Sequence, residues 1–328
     1  MFFSSIFVSI VPAFIFLIFI WWLDRYDREP WYLVLGAFAW GALGAIVIAI
    51  MASLTLAAPF KSLLDAKMVF GITVVVIAPI VEEIAKAVIL IPLALHRKFD
   101  GFIDGMVYGS MVGLGFAVTE NFFYYLGVFL NKGAFHWAIT VVIRTFCSTF
   151  IHALSTGVAG AAIGYCKFTK QRFKRYYIPL LGLFIAMFIH SFYNGAITYA
   201  QFKGVPGVFL IDIVVLVLEL FLAFVVMQVA LYRESVVLEE ELSEECERGL
   251  LKQDDVDVVP SYWRRLSSLW SSGASKYWKR QKFFALATDL ALRKREARLS
   301  EGEERDALLA DAEAIRKEIV ELDGEISD

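Results

Sequence analysis

Residues 69–95 read VFGITVVVIAPIVEEIAKAVILIPLAL. A bilayer crossing takes roughly 20 apolar residues, and this stretch is long enough. Yet Glu82, Glu83 and Lys86 lie in its middle. A charge at the bilayer centre costs about 2.5–3.5 kcal/mol on insertion scales, so each needs a partner or a task. Glu82 and Lys86 stand four apart, the favourable order for an ion pair on one helical face. That pairing leaves Glu83 unexplained, about 100° away around the helix. Two adjacent carboxylates in a low dielectric can hold one proton and release another, as general acid–base work requires. Pro79 frees a backbone carbonyl and predicts a kink. Broken helices at membrane depth line cavities rather than lipid.

The rest of the chain extends this pattern. It has 328 residues, 59% of them hydrophobic and 20% charged, where a soluble domain is about half apolar. The apolar excess is confined to residues 1–231, and 232–328 are polar and charged. This predicts an all-α polytopic membrane bundle, residues 1–231, followed by a soluble helical tail, 232–328. Seven runs qualify as spans, at about 2–23, 31–56, 69–95, 102–130, 136–164, 177–200 and 207–231. The chain opens apolar at once, with no basic start and no small-residue cleavage site, so a retained first span is expected rather than a signal peptide. The net charge of −3 gives no footprint for nucleic acid.

Loop charges set an expected orientation. The loops after the first, third and fifth runs hold Arg25, Arg28, Arg97, Lys98, Lys167, Lys170, Arg172, Lys174 and Arg175. The alternate loops hold only Lys61, Lys67, Lys132 and Lys203. The richer set belongs to the cytoplasm. The protein is therefore expected to be a multi-pass protein of the cell or inner membrane, with its N-terminus outside and its tail in the cytoplasm.

Gly105, Gly109 and Gly113, and then Ala153, Gly157, Gly160 and Gly164, predict close backbone packing between helices. Cys147, Cys166 and Cys246 lack metal-ligand spacing and do not suggest a disulfide framework. In the tail, residues 234–255 are acidic and read as a solvated helix, whereas 258–288 contain no acidic residue and mix Lys and Arg with Trp and Phe. That mixture suits either an anionic lipid surface or the basic face of a small helical domain that meets a cytoplasmic partner. Residues 285–326 read as two helices broken near Gly302.

Other polar residues lie within the apolar runs. Glu120 and Asn121 stand late in the fourth run, Arg144 and His152 in the fifth, and His190 and Asn194 in the sixth. Each has an ordinary structural explanation: a helix-end carboxylate, an interhelical histidine, a His–Asn hydrogen bond. Depth links them. At 1.5 Å per residue, Glu82, Glu83, Glu120, His152 and His190 all fall roughly 15–25 Å from the outer ends of their runs. His96 and His136 stand at run ends and do not join them.

The set resembles the PrsW family of intramembrane proteases, distant relatives of the CAAX prenyl endopeptidases. The family's motifs are E-E-x-x-K, F-x-x-x-E, R-x7-H and H-x-x-x-D/N. This chain carries Glu82, Glu83 and Lys86; Phe116 and Glu120; Arg144 and His152; and His190 and Asn194, in that order on successive runs. The likeness spans about residues 70–200 and leaves out the tail. It implies an intramembrane endopeptidase that cleaves membrane-associated proteins, such as a membrane-bound anti-sigma factor in regulatory site-1-type proteolysis. It implies that Glu82 or Glu83 activates water. His152 and His190 would polarise the scissile carbonyl, stabilise the oxyanion or bind zinc, and Asn194 could join the oxyanion site. Glu120 would orient a histidine or share the proton, with Lys86 and Arg144 fixing the carboxylates.

Two mechanisms fit these residues. His152 and His190 with Glu82 or Glu83 could hold Zn²⁺ with a position open to water. A metal-free glutamate mechanism, with no cofactor, needs only one carboxylate and an oxyanion partner. Buried Glu and His also build ion paths, so a proton-coupled transporter or channel is the rival from another class. Inverted repeats would mark a transporter, and the chain has none. An inactive membrane scaffold working through the tail is the third reading, against which the intact motifs weigh.

Overall fold

A computed structural model describes residues 1–328 apart from Phe168, Lys170 and Asp328. Lys170, counted among the cytoplasmic basic residues, thus lies outside the described set. All regular elements among the described residues are helical. They are α1 Phe2–Leu23, α2 Trp31–Ser62, α3 Ala66–Ile72, α4 Ala78–Ala87, α5 Leu90–Ala94, α6 Phe102–Ile143, α7 Thr149–Tyr165, α8 Arg172–Lys203 and α9 Gly207–Glu247, followed by α10 Gln253–Val258, α11 Tyr262–Ser271, α12 Gly273–Leu299 and α13 Gly302–Ser327. The chain divides into two compact units, residues 1–23 with 29–225, and residues 24–28 with 226–328.

Five helical stretches among the described residues are long and apolar enough to cross a membrane: α1, α2, the run from Phe102 to Tyr165, α8 and α9. The expected count of seven is not matched one for one. The fourth and fifth runs form one 64-residue stretch. It doubles back at Gly133, whose φ of 81° only glycine adopts freely. The hairpin is visible in its cross-pairs: Tyr125 Oη lies 3.2 Å from Thr145 Oγ1, and Asn121 Nδ2 donates to Thr149 Oγ1 at 2.9 Å. The third run, 69–95, is α3, α4 and α5 in succession. Pro79 and Pro92 interrupt helical hydrogen bonding there, and three charges lower its apolarity.

The small residues bring α6 and α7 into backbone contact. A Cβ on Gly105 would lie 2.1 Å from the Gly160 carbonyl oxygen, and one on Gly113 would lie 2.0 Å from that of His152. On its other side α6 meets α2 as closely: a Cβ on Gly115 would stand 1.9 Å from the Phe38 carbonyl oxygen. The first half of α6 is therefore buried from Val107 to Ala117 and forms the centre of the first unit. Cys147 packs with Ile151, Tyr193 and Leu216, as a small apolar residue would.

Three wide π-turns interrupt the bundle, at Trp40–Ala45, Thr73–Ile77 and Arg144–Ser148. A polar side chain donates to a carbonyl in each. Thr119 Oγ1 donates to Ala42 at 2.7 Å, Asn194 Nδ2 to Val74 at 3.0 Å and Thr149 Oγ1 to Arg144 at 3.1 Å. Such donors matter because a bilayer supplies no water to satisfy a distorted backbone.

The second unit has its own core of Leu238, Leu242, Val259, Phe284, Leu290 and Ile319. The acidic stretch is a solvated face only in part: Glu239 and Glu240 are exposed. Glu241 and Glu245 are buried, and Glu245 takes two bonds of 2.8 Å from Arg316 and one of 2.8 Å from Lys294. The basic stretch also splits. Arg265 is buried, donates to Thr288 Oγ1 at 2.6 Å, and lies over the Tyr26 ring; burial pushes its pKa down to about 10. Trp263, Trp270 and Trp278 are instead 70–80% exposed.

The packing contacts predict the effect of added methyl groups. Gly113→Ala should destabilise the protein in thermal melts, because the clash is with backbone and has no side-chain escape. Gly127→Ala, with nothing within 4 Å, should be neutral or stabilising by up to about 1 kcal/mol. Equal melting behaviour of the two variants would refute the contact.

Candidate active site

Pro79 is the second residue of α4, in the first turn, where its missing N–H leaves no donor unpaired. The helix then buries Glu82, Glu83 and Lys86 against α6, α7 and α8. Glu83 is fully buried and accepts four hydrogen bonds. Lys86 Nζ at 2.8 Å, Ser155 Oγ at 3.0 Å and His190 Nδ1 at 2.9 Å reach Oε1, and Thr156 Oγ1 reaches Oε2 at 2.9 Å. Lys86 Nζ also donates to His152 Nδ1 at 2.9 Å and lies 4.1 Å above the Phe116 ring. One carboxylate thereby ties α4 to α7 and α8.

This reverses the expected pairing. Glu82 Oε2 stands 3.8 Å from Lys86 Nζ, outside hydrogen-bond range, while Glu83 holds the lysine closely. The lysine tip turns toward His152, and from there only the i,i+3 glutamate is within reach. Glu83, which the simple ion pair left unexplained, is the structural partner. Glu82 is the unassigned one: its Oε2 is buried and makes no hydrogen bond.

A second chain of contacts leads away from His152. Its Nε2 lies 2.8 Å from Glu120 Oε2, which also accepts Arg144 Nη2 at 2.5 Å. Arg144 Nε donates to Asn121 Oδ1 at 2.7 Å, and its guanidinium lies 3.7 Å from the Tyr124 ring centroid. Glu120 is thus part of the cluster and not a separate helix-end carboxylate. The two imidazoles meet edge to face with centroids 4.7 Å apart. Asn194 does not enter the cluster, because its amide donates to the Val74 carbonyl. Nor do His96 and His136; His136 Nδ1 lies 3.0 Å from the Lys132 carbonyl.

Tautomers follow from these partners rather than from observed hydrogens. His190 Nδ1 faces a carboxylate and donates to it, so its Nε2 is left as an acceptor. That nitrogen looks at Glu82 Oε2 across 3.7 Å. Two acceptors therefore face each other with no donor between them. Three carboxylates also outnumber the two fixed cations, Lys86 and Arg144. A cation suits such a place, and Glu82, His152 and His190 can each offer one ligand atom, all within 4.8 Å of one another. The donor set fits zinc in kind. The His190–Glu83 bond is the outer support a ligating histidine usually has. His152 fits less simply, since both its nitrogens already have partners.

Ser155, Thr156 and Tyr124 were not among the residues singled out by sequence, and Asn121 was noted only as the neighbour of Glu120. Ser155 and Thr156 had a readable signal: they follow His152 by three and four positions and share its helical face. Asn121 and Tyr124 follow Glu120 by one and four positions, a weaker cue.

Residues 29–227 match the family described as PrsW family intramembrane metalloprotease. The chain is similar to the Protease PrsW of Bacillus subtilis (strain 168), 26% identical over 200 residues that cover 60% of this chain and 84% of the relative. The Protease PrsW of Clostridioides difficile (strain 630) is 29% identical, covering 57% and 76%. That of Geobacillus kaustophilus (strain HTA426) is 30% identical, covering 58% and 79%. No solved structure matches.

Proposed function

Because the chain belongs to the PrsW family of intramembrane metalloproteases, we propose that it hydrolyses peptide bonds of membrane-associated proteins at the buried Glu82–Glu120–His152–His190 cluster. The observation that carries this reading is the unpartnered Glu82 Oε2 facing His190 Nε2. Glu82, His152 and His190 would hold a divalent metal ion. Bound there, the ion would supply Lewis-acid polarisation and an activated water. Glu120, which borders the site and is steadied by Arg144, takes a proton from the attacking water. It returns the proton to the leaving amide nitrogen as the C–N bond breaks. Glu83, Lys86, Ser155 and Thr156 keep the two histidines and Glu82 in place.

One observation favours a metal-free reading. Lys86 and Glu120 already engage both nitrogens of His152. In that version Glu82 itself accepts the proton of water. Substrates are proposed to be single-span membrane proteins, with a membrane-bound anti-sigma factor as the form regulatory proteolysis would take.

Glu82→Gln and Glu120→Gln should each lower cleavage of such a substrate on the order of 10²-fold or more, the range for lost acid–base catalysis, while the protein still inserts and folds. A folded Glu82→Gln variant that cleaves at the wild-type rate would overturn the assignment. Chelation decides between the mechanisms. Loss of activity restored by added zinc supports the metal site, and full activity in metal-free protein supports the glutamate version.

For the tail, we propose a cytoplasmic location, with the N-terminus outside. Trp263, Trp270 and Trp278 would rest on an anionic leaflet beside Arg264, Lys276 and Lys279. The stretch 258–288 lacks acidic residues, and exposed Trp with Lys and Arg suits that interface. A tag placed after Asp328 should therefore be labelled only from the cytoplasmic face. Hydrogen exchange over residues 262–282 should slow in anionic relative to zwitterionic nanodiscs. Labelling from outside, or identical exchange in both lipids, would contradict the proposal.

A further inference from the structure

When water attacks a peptide bond, the carbonyl oxygen becomes an oxyanion. In a site closed to bulk water that charge needs a preorganised hydrogen-bond donor. Backbone N–H groups often fill this role, but here they are spent. Glu82, Glu120, His152 and His190 stand on α4, α6, α7 and α8, and a helix interior uses its N–H groups on its own carbonyls. The donor must be a side chain. Those nearest the cluster are committed. Lys86 Nζ serves Glu83 and His152, and Arg144 serves Asn121 and Glu120. Asn121 Nδ2 serves Thr149, Asn194 serves Val74, and Ser155 and Thr156 serve Glu83.

Tyr124 is placed differently. It follows Glu120 by four positions on α6 and shares its helical face. With Glu82 and Glu120 it lines one cavity of about 380 Å³, a volume within the ordinary range for a ligand site. Those two carboxylates are the accessible ones of the cluster, with side chains 11% and 21% exposed. The Arg144 guanidinium lies 3.7 Å from the Tyr124 ring centroid and holds the ring from one side. Glu120, Arg144 and Glu82 are the charged groups around its hydroxyl. Ser53 also brings a hydroxyl to this wall, but on α2, a helix that carries none of the cluster.

We propose that Tyr124 is a further catalytic residue, whose hydroxyl donates a hydrogen bond to the scissile carbonyl oxygen as it becomes an oxyanion. The inference rests on the proteolytic reading of the cluster and adds to it the donor that the committed side chains do not supply. As the water oxygen bonds to the carbonyl carbon, the C=O π pair moves onto the carbonyl oxygen and one water proton passes to the general base. Tyr124 keeps its own proton throughout. When the C–N bond breaks, the pair returns to re-form C=O, and the proton on the base passes to the amide nitrogen. A phenol suits this place because it meets a developing negative charge without burying a charge of its own.

The test uses the full chain in membranes and a fluorogenic single-span peptide. Tyr124→Phe keeps the ring beside Arg144, so the variant should melt like the wild type. Its kcat should fall on the order of 10²–10³-fold, the range for one lost oxyanion donor. KM should change little, because the bond forms only as the oxyanion develops. A peptide phosphinate, which mimics the tetrahedral state, should lose affinity by a similar factor, a split that a purely structural tyrosine would not produce. If Tyr124→Phe misfolds, aminophenylalanine and O-methyltyrosine incorporated at Tyr124 carry the test. Both keep the ring and a polar tip, but only the first can donate, so only the first should retain most of kcat. A folded Tyr124→Phe variant with wild-type kcat, equal kcat for the two incorporated residues, or a loss found in Ser53→Ala in place of Tyr124→Phe would overturn the proposal. In those cases, continued loss of activity in Glu82→Gln would show that the protease assignment itself still stands.

Discussion

The bond from Lys86 to Glu83 is the constraint on which the rest of the first unit depends. Both side chains are fully buried. Removing one partner of such a pair leaves an uncompensated charge and typically costs about 3–5 kcal/mol. The bundle compensates by surrounding the pair. Ser155, Thr156 and His190 complete the carboxylate, and His152 and the Phe116 ring complete the ammonium. Every one of these partners comes from a different part of the chain than α4, so satisfying one ion pair also sets the relative positions of α4, α6, α7 and α8. The geometry of the cluster is a consequence of this electrostatic requirement.

The same requirement explains why two adjacent glutamates have such different surroundings. Glu83 accepts from four donors, three at Oε1 and one at Oε2. Glu82 points away from them, toward His190 Nε2 and a cavity of about 380 Å³ between α2, α4 and α6. Chemistry needs a group that is positioned but not satisfied, and Glu82 meets that description. The π-turns serve this division. They displace α4 and the start of α7 from regular helical paths, and Asn194 and Thr149 satisfy carbonyls within them. Asn194 therefore helps to shape the site without facing the cluster.

Much of this was legible in the sequence because the bilayer makes polarity informative. Apolar run length revealed an all-helical membrane bundle. Charge in apolar surroundings revealed Glu82, Glu83, Glu120, His152 and His190, and comparable depth implied that they would meet. Three features were not legible. The run at 69–95 is broken beyond the kink that Pro79 predicts, because the π-turn at Thr73–Ile77 disturbs the backbone without changing hydropathy. Lys86 prefers Glu83 over Glu82, because the choice depends on His152, 66 positions away, and not on helical spacing alone. The acidic stretch at 238–245 is buried in part, because Lys294, Arg298 and Arg316 fold back onto it from a later hairpin. In the last two cases the deciding partner lies far away in the chain.

The central claim is that Glu83 and Lys86 are a structural pair and Glu82 is not part of it. Thermal melting of Glu83→Gln, Lys86→Met and the double variant tests this most directly. Each single change should lower the melting temperature by several degrees, and the double change should recover most of that loss, because no lone charge remains buried. If the losses of the two single variants simply add in the double variant, Glu83 and Lys86 are not coupled and the account fails.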